Sequence, residues 1–193
     1  MRQTIWREFT LAFWDVWERI YSLLFHARKL QPGSLFRLNL REYRGPVLTL
    51  RDGTALHPGD MVGELHLANR QLLELQQKCG NQIQAVMCVK KELKQSLSQL
   101  ATLVAQGKVD PQVKAFFGIT IFHQGARLLG FEVEEIRSRF WRFCFRCGQL
   151  LLLATYHPLG FRRFQKGHQS LVPKVIWMSR SQLIRNFSPP ERP

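Results

Sequence analysis

In the stretch "GDMVGELHLAN", residues 59–69, Glu64 and His66 stand two positions apart. In extended chain, alternate side chains leave from one face, with a rise of about 3.3 Å per residue. A carboxylate beside an imidazole orients the ring and raises its proton affinity, an arrangement that suits general acid–base work. The same pair is also an ordinary ion pair on a strand surface. No nucleophile or metal set accompanies it, so a reaction does not follow from these two residues. Asn69 is of the type that caps a helix N-terminus through its side-chain oxygen. His123 falls between an extended stretch and "QGARLLG". It either turns into a cleft and completes a site with Glu64 or His66, or serves as a capping or buried histidine.

Cys144 and Cys147 have Cys-x-x-Cys spacing, but within the aromatic-rich "FWRFCFRCGQ", whereas zinc knuckles place such a pair in a turn. Eight residues separate Cys79 from Cys88, again not a zinc spacing. No thioredoxin-like pattern precedes the pair, and four scattered cysteines do not make a secreted disulfide framework. No metal or cofactor is expected. There is no glycine-rich phosphate loop, Gly-x-Ser-x-Gly elbow or His-Glu-x-x-His helix. Those absences weigh against an enzyme and leave the question open.

The elements that would hold these residues follow from apolar spacing. Residues 4–28 repeat Ile5, Phe9, Phe13, Trp17, Ile20 and Leu24 at helical steps, and "QPGS" ends the run. The period then falls to two. Strands are expected over 35–41, 47–50 and 61–68, with a turn at Asp52–Gly53, and Asn69 then opens a short helix to Gly80. The segment 82–106 is an amphipathic helix with Val86, Val89, Leu93, Leu97, Leu100 and Val104 on one face and Ser, Lys and Gln on the other. Short strand, helix and strand pieces cover "FFGITIF", "HQGARLLG" and "FEVEEI". A basic helix runs from about Arg137 to Thr155, "KVIWM" is a last strand, and 188–193 should fray. Early strands, later mixed elements and no repeated βαβ period give an α+β domain, a small mostly antiparallel sheet packed with several helices over residues 1–187.

The 193 residues include 28 Lys or Arg against 14 Asp or Glu, a formal charge of +14. The excess is one-sided. Residues 136–190 carry Arg137, Arg139, Arg142, Arg146, Arg162, Arg163, Lys166, Lys174, Arg180 and Arg185 and no acid. Such a field draws nucleic acid, anionic lipid or an acidic protein, and it also serves plain solubility. Between Arg137 and Arg146 the cations interleave with Phe140, Trp141, Phe143 and Phe145, as in helices lying in a membrane interface. Core packing with snorkelling arginines produces the same pattern. No helix-turn-helix spacing or RNA-binding aromatic strand accompanies the charge, which disfavours nucleic acid. No uncharged apolar stretch approaches the ~20 residues of a membrane span, and no secretory h-region is visible, so a cytoplasmic protein, peripheral at the inner face of the membrane, is expected. Oligomeric state has no signature here.

The segments "YRGPVLTLRDGTALHPGDMVGELHLAN", "VKAFFGITIFHQGARLLGFEV", "YHPLGFRR" and "PKVIWMSRSQL", in this order, resemble the YkoP-like domain family. That family occurs free-standing and fused behind polysaccharide deacetylase domains. The resemblance implies an accessory domain linked to bacterial envelope polysaccharide or glycolipid metabolism, with a polysaccharide deacetylase-type protein as partner, while the basic C-terminal third points to an anionic lipid surface or an acidic protein. It implies no reaction, because the chain lacks the paired-Asp strand and His-x-x-x-His ligands of a deacetylase site. A pocket would be lined by Glu64, His66, Asn69, His123 and Trp177. The basic face would present Arg137, Arg139, Arg142, Arg146, Arg162 and Arg163. The competing reading is an enzyme acting on a glycan or lipid-linked substrate through Glu64, His66 and His123.

Overall fold

The structure, a computed structural model, describes residues 28–29, 34–68, 71, 74–75, 82–156 and 172–188. The expected N-terminal helix up to residue 27, the capping role of Asn69, most of the short helix after it and the 189–193 tail lie outside the described residues. Residue 28 itself is not helical: it opens a two-residue strand.

In chain order the strands are β1 (Arg28–Lys29), β2 (Phe36–Glu42), β3 (Leu48–Thr49), β4 (Ala55–Leu56) and β5 (Met61–Leu67). Helix α1 (Gln82–Ala105) follows, then β6 (Ala115–Thr120), α2 (His123–Leu128), β7 (Glu132–Glu135), α3 (Arg139–Tyr156), β8 (Lys174–Ser179) and α4 (Arg180–Phe187). The fold is α+β. Its main sheet has the order β1-β2-β5-β6-β8-β7. Every neighbouring pair is antiparallel except β5 and β6. That parallel pair needs a long crossover, and α1 lies within it. A β3–β4 ribbon forms a separate two-stranded sheet.

Alternation along the strands sorts the side chains into two apolar layers. One layer collects Phe36, Leu38, Leu65, Phe116 and Met178 with Leu97, Leu100 and Val104 of α1 and Leu183 of α4. Gly63 belongs to this side: a Cβ there would meet the Phe116 ring at 2.5 Å and Leu38 at 2.8 Å, so only glycine lets that ring lie on β5. The other layer joins Val62, Ala115, Phe117 and Trp177 to Leu50 and Leu56 of the ribbon. The sheet is therefore covered on both faces, by helices on one and by the ribbon on part of the other.

Two acids fasten the ribbon. Glu132 accepts the Arg51 backbone N–H at 2.8 Å. Asp52 accepts hydrogen bonds from the Ser179 and Ser181 hydroxyls, the latter at 2.7 Å. On the helical side, the Ser96 hydroxyl accepts from the Leu35 N–H at 2.9 Å and ties α1 to the approach to β2. Ser96 is buried, so the polar face expected of this helix is interrupted where a backbone donor needs a partner. Arg180 donates to the carbonyls of Asp110 and Val104 at 3.0 and 3.2 Å, locking the start of α4 to the end of α1.

Candidate functional site

Strand β5 turns Glu64 and His66 to the ribbon side of the sheet, away from the helical core that holds Leu65, as the alternation predicts. Glu64 is 7% exposed. It is compensated by charge: Arg41 of β2 places Nη1 3.1 Å from Oε2, and His66 places Nε2 3.5 Å from Oε1. Burial pushes the Glu64 carboxyl upward, but the hydrogen bonds and charges of His66 and Arg41 outweigh it and hold the group below the usual carboxylate range. The Arg41 guanidinium also lies 5.3 Å above the Phe117 ring centre, within cation–π range. The result is a three-membered polar cluster on the outer half of the sheet, with Arg41 half exposed and His66 partly exposed.

Trp177 belongs to the same face. In register, Glu64 pairs with Phe117 and Phe117 with Trp177. The Trp177 ring stacks on Phe117 at 4.8 Å and takes the edge of Tyr43 at 5.6 Å. It is 5% exposed, so its rings pack the layer beneath the ribbon.

His123 has different surroundings. It starts α2 beyond the end of β6 and is buried; burial first, then the charges of Lys174 and Arg127, lowers its proton affinity. Lys174, whose charge acts on His123, alternates along β8 with Ile176 and Met178, which face the helical core. Glu64, His66 and Trp177 thus share a face. Its Nδ1 is buried without a hydrogen-bond partner.

Helix α3 presents a second candidate surface. Phe140 is 68% exposed, Trp141 56% and Phe143 66%. Residues three and four apart share a helix face, which groups Arg139, Phe140, Phe143 and Cys147, all exposed. Trp141 stands off that face, against Phe140 at 5.7 Å and Phe145 at 5.9 Å. Arg137 and Arg139 are exposed, and Arg146 is partly buried. Arg142 is tied down instead: Nε and Nη2 donate to the Ile136 carbonyl at 3.1 and 2.6 Å, fixing the bend from β7 into α3. Arg162 and Arg163 lie outside the described residues. Cys144 and Cys147 sit within α3 as free thiols. Among the described residues no group of three or more His, Cys, Asp or Glu could hold a metal ion, and no helix is long and apolar enough to cross a membrane.

A family model described as the YkoP domain matches residues 7–187. The chain belongs to the YkoP domain family. It is 29% identical over 172 residues to "Uncharacterized protein YkoP" of Bacillus subtilis (strain 168), across 85% of this chain and 91% of that protein. No solved structure matches. Within this YkoP domain the sequence reading found the carboxylate and imidazole but missed Arg41, which lies 23 residues from Glu64 and reaches it only through the β2–β5 register. It also missed Asp52, whose partners Ser179 and Ser181 are 127 and 129 residues away. Burial raises that carboxyl, but the Ser179, Ser181 and Thr54 hydrogen bonds prevail and hold it at about 2. Asp52–Gly53 was legible as a turn, and nothing local says what the turn grips.

Proposed function

We propose that this YkoP domain is a binding module that docks on an anionic lipid surface through α3, at the inner face of the membrane, as an accessory to envelope polysaccharide or glycolipid metabolism. One observation carries the reading: Phe140, Trp141 and Phe143 are more than half exposed on a helix that also exposes Arg139. Snorkelling arginines over buried rings would have left the rings covered. Removing a Phe ring from water is worth about 1.5–3 kcal/mol when complete, and each Arg near an anionic leaflet adds about 1 kcal/mol. A shallow aromatic insertion flanked by guanidiniums fits headgroup depth. The absence of any acid between residues 136 and 190 favours an anionic partner. A competing enzyme reading would rest on Glu64, His66 and His123, of which strand β5 sets the first two side by side at 3.5 Å.

Co-sedimentation with vesicles of phosphatidylcholine alone and of phosphatidylcholine with phosphatidylglycerol tests the proposal. Binding to the anionic vesicles only, lost in the Phe140→Ser/Phe143→Ser variant, is the expected result. Equal binding to both vesicle types, or none to either at low salt, overturns it. A shift of RNA or DNA in a gel without vesicle binding would assign the basic face to nucleic acid instead.

A further inference from the structure

A separate concavity of about 350 Å³, largely open to solvent, lies between α1, the α2–β7 turn and α4. At ~30 Å³ per water-sized group it has room for roughly a dozen, within the range of small-molecule sites. Its lining divides by chemistry. Lys94 and Arg127 bring two cations, Asn186 an amide, and Leu128, Leu129 and Phe187 an apolar wall. Among the described residues no Asp or Glu lines it and no carboxylate lies within ion-pair distance of Lys94 or Arg127. Leu128 is 77% exposed beside those two charges, while Leu129 is buried and anchors the floor.

Gly130, also in the lining, keeps the wall beside Asn186 clear. Gly130 has φ +89°, and a Cβ on it would come within 3.0 Å of Asn186 Nδ2. A side chain here would be strained in its backbone and would displace the amide from the wall. The Gln182 side chain holds the Gly130 carbonyl at 3.0 Å, which fixes the turn against α4.

We infer that this concavity binds a small amphipathic oxyanion, a carboxylate or phosphate monoester on an apolar chain, its head between Lys94 and Arg127 and its tail along Leu128 and Phe187. Two cations with no carboxylate partner among the described residues, lining one concavity with an exposed leucine, complement a ligand with charge at one end and hydrocarbon at the other. A polar ligand leaves Leu128 and Phe187 wet, and an uncharged apolar one leaves the cations without a counter-charge.

Isothermal titration of the full chain with octyl phosphate, octanoate and octanol decides it. Binding of at least one of the two anions and not of octanol is expected, and which anion binds more tightly identifies the head group. Lys94→Ala and Arg127→Ala should each weaken binding about tenfold, the size of one charge-assisted hydrogen bond. Leu128→Ser, at an exposed position, should weaken it several-fold with the fold intact. The Phe140→Ser/Phe143→Ser variant should bind the anion as the wild type does, which separates this site from α3. Failure of both anions to bind at millimolar concentration, equal binding of octanol, unchanged affinity in the Lys94→Ala/Arg127→Ala double variant, or loss of binding with the α3 variant would each overturn the inference.

Discussion

At Glu64 the two protonation states differ in what they leave behind. Ionised, the carboxylate satisfies Arg41 and His66; neutralised, it leaves the half-exposed Arg41 guanidinium without this counter-charge. Glu64→Gln should therefore lower stability by about 1–3 kcal/mol in denaturant titration, the scale of a broken, partly buried charged contact. Because its pKa is depressed in the folded chain, Glu64 contributes fully above its unfolded value near ~4.3, and the contribution disappears as pH falls through the folded value. Asp52 behaves likewise between roughly 4 and its folded pKa of about 2, so Asp52→Asn should flatten the acid limb of a stability–pH curve. His123 acts in a higher window. Its pKa is also lowered, so the unfolded chain takes up the proton first as pH drops below ~6.5, and stability falls until the folded value is reached. His123→Gln should remove that slope in thermal melts across mildly acidic pH. Glu64 and His66 could be paired from sequence because strand alternation is a local rule; Arg41 could not, because register is a property of two strands.

Among the elements, α1 is the one whose pattern was read nearly whole. Leu97, Leu100 and Val104 fall on the buried side at the expected spacing, yet Val86 of the same stripe is 66% exposed, beside Ile83 and Met87. Helical periodicity specifies a stripe and does not say how far along it the sheet extends. Ser96 shows the converse: a polar residue buried because the Leu35 N–H has no other described partner. Ser96→Ala should cost about 1–3 kcal/mol, the penalty of an orphaned buried donor. Gly63→Ala should cost about 1–3 kcal/mol, since the Phe116 ring would have to move off β5. The β4 half of the ribbon is two residues long, too short for any periodicity, and was not anticipated.

For the molecule as a whole, the net charge overstates the cationic surface. Lys174 is paired with Glu135 at 2.7 Å, Arg142 holds the Ile136 carbonyl and Arg180 holds those of Asp110 and Val104. Arg137, two residues before α3, and Arg139, its first residue, are exposed. Substituting these two by Glu should abolish sedimentation with anionic vesicles and leave the thermal midpoint unchanged, whereas Arg180→Ala should lower the midpoint and spare vesicle binding. Wild-type binding should weaken steeply with added salt, because the Debye length shrinks from about 10 Å at 0.1 M to about 3 Å at 1 M. The aromatic contribution should survive that screening in part.

Composition and periods of two and 3.6 residues are enough to yield the α+β class, most of the described element positions, the one-sided charge and the shared face of Glu64 and His66. Folding sets which strand supplies the counter-charge to Glu64, which serines donate to Asp52, which arginines bind backbone carbonyls, and that Lys94 and Arg127 line one concavity. These depend on pairings between residues distant in the chain, and short-range spacing carries no information about who lies across a strand or beneath a helix.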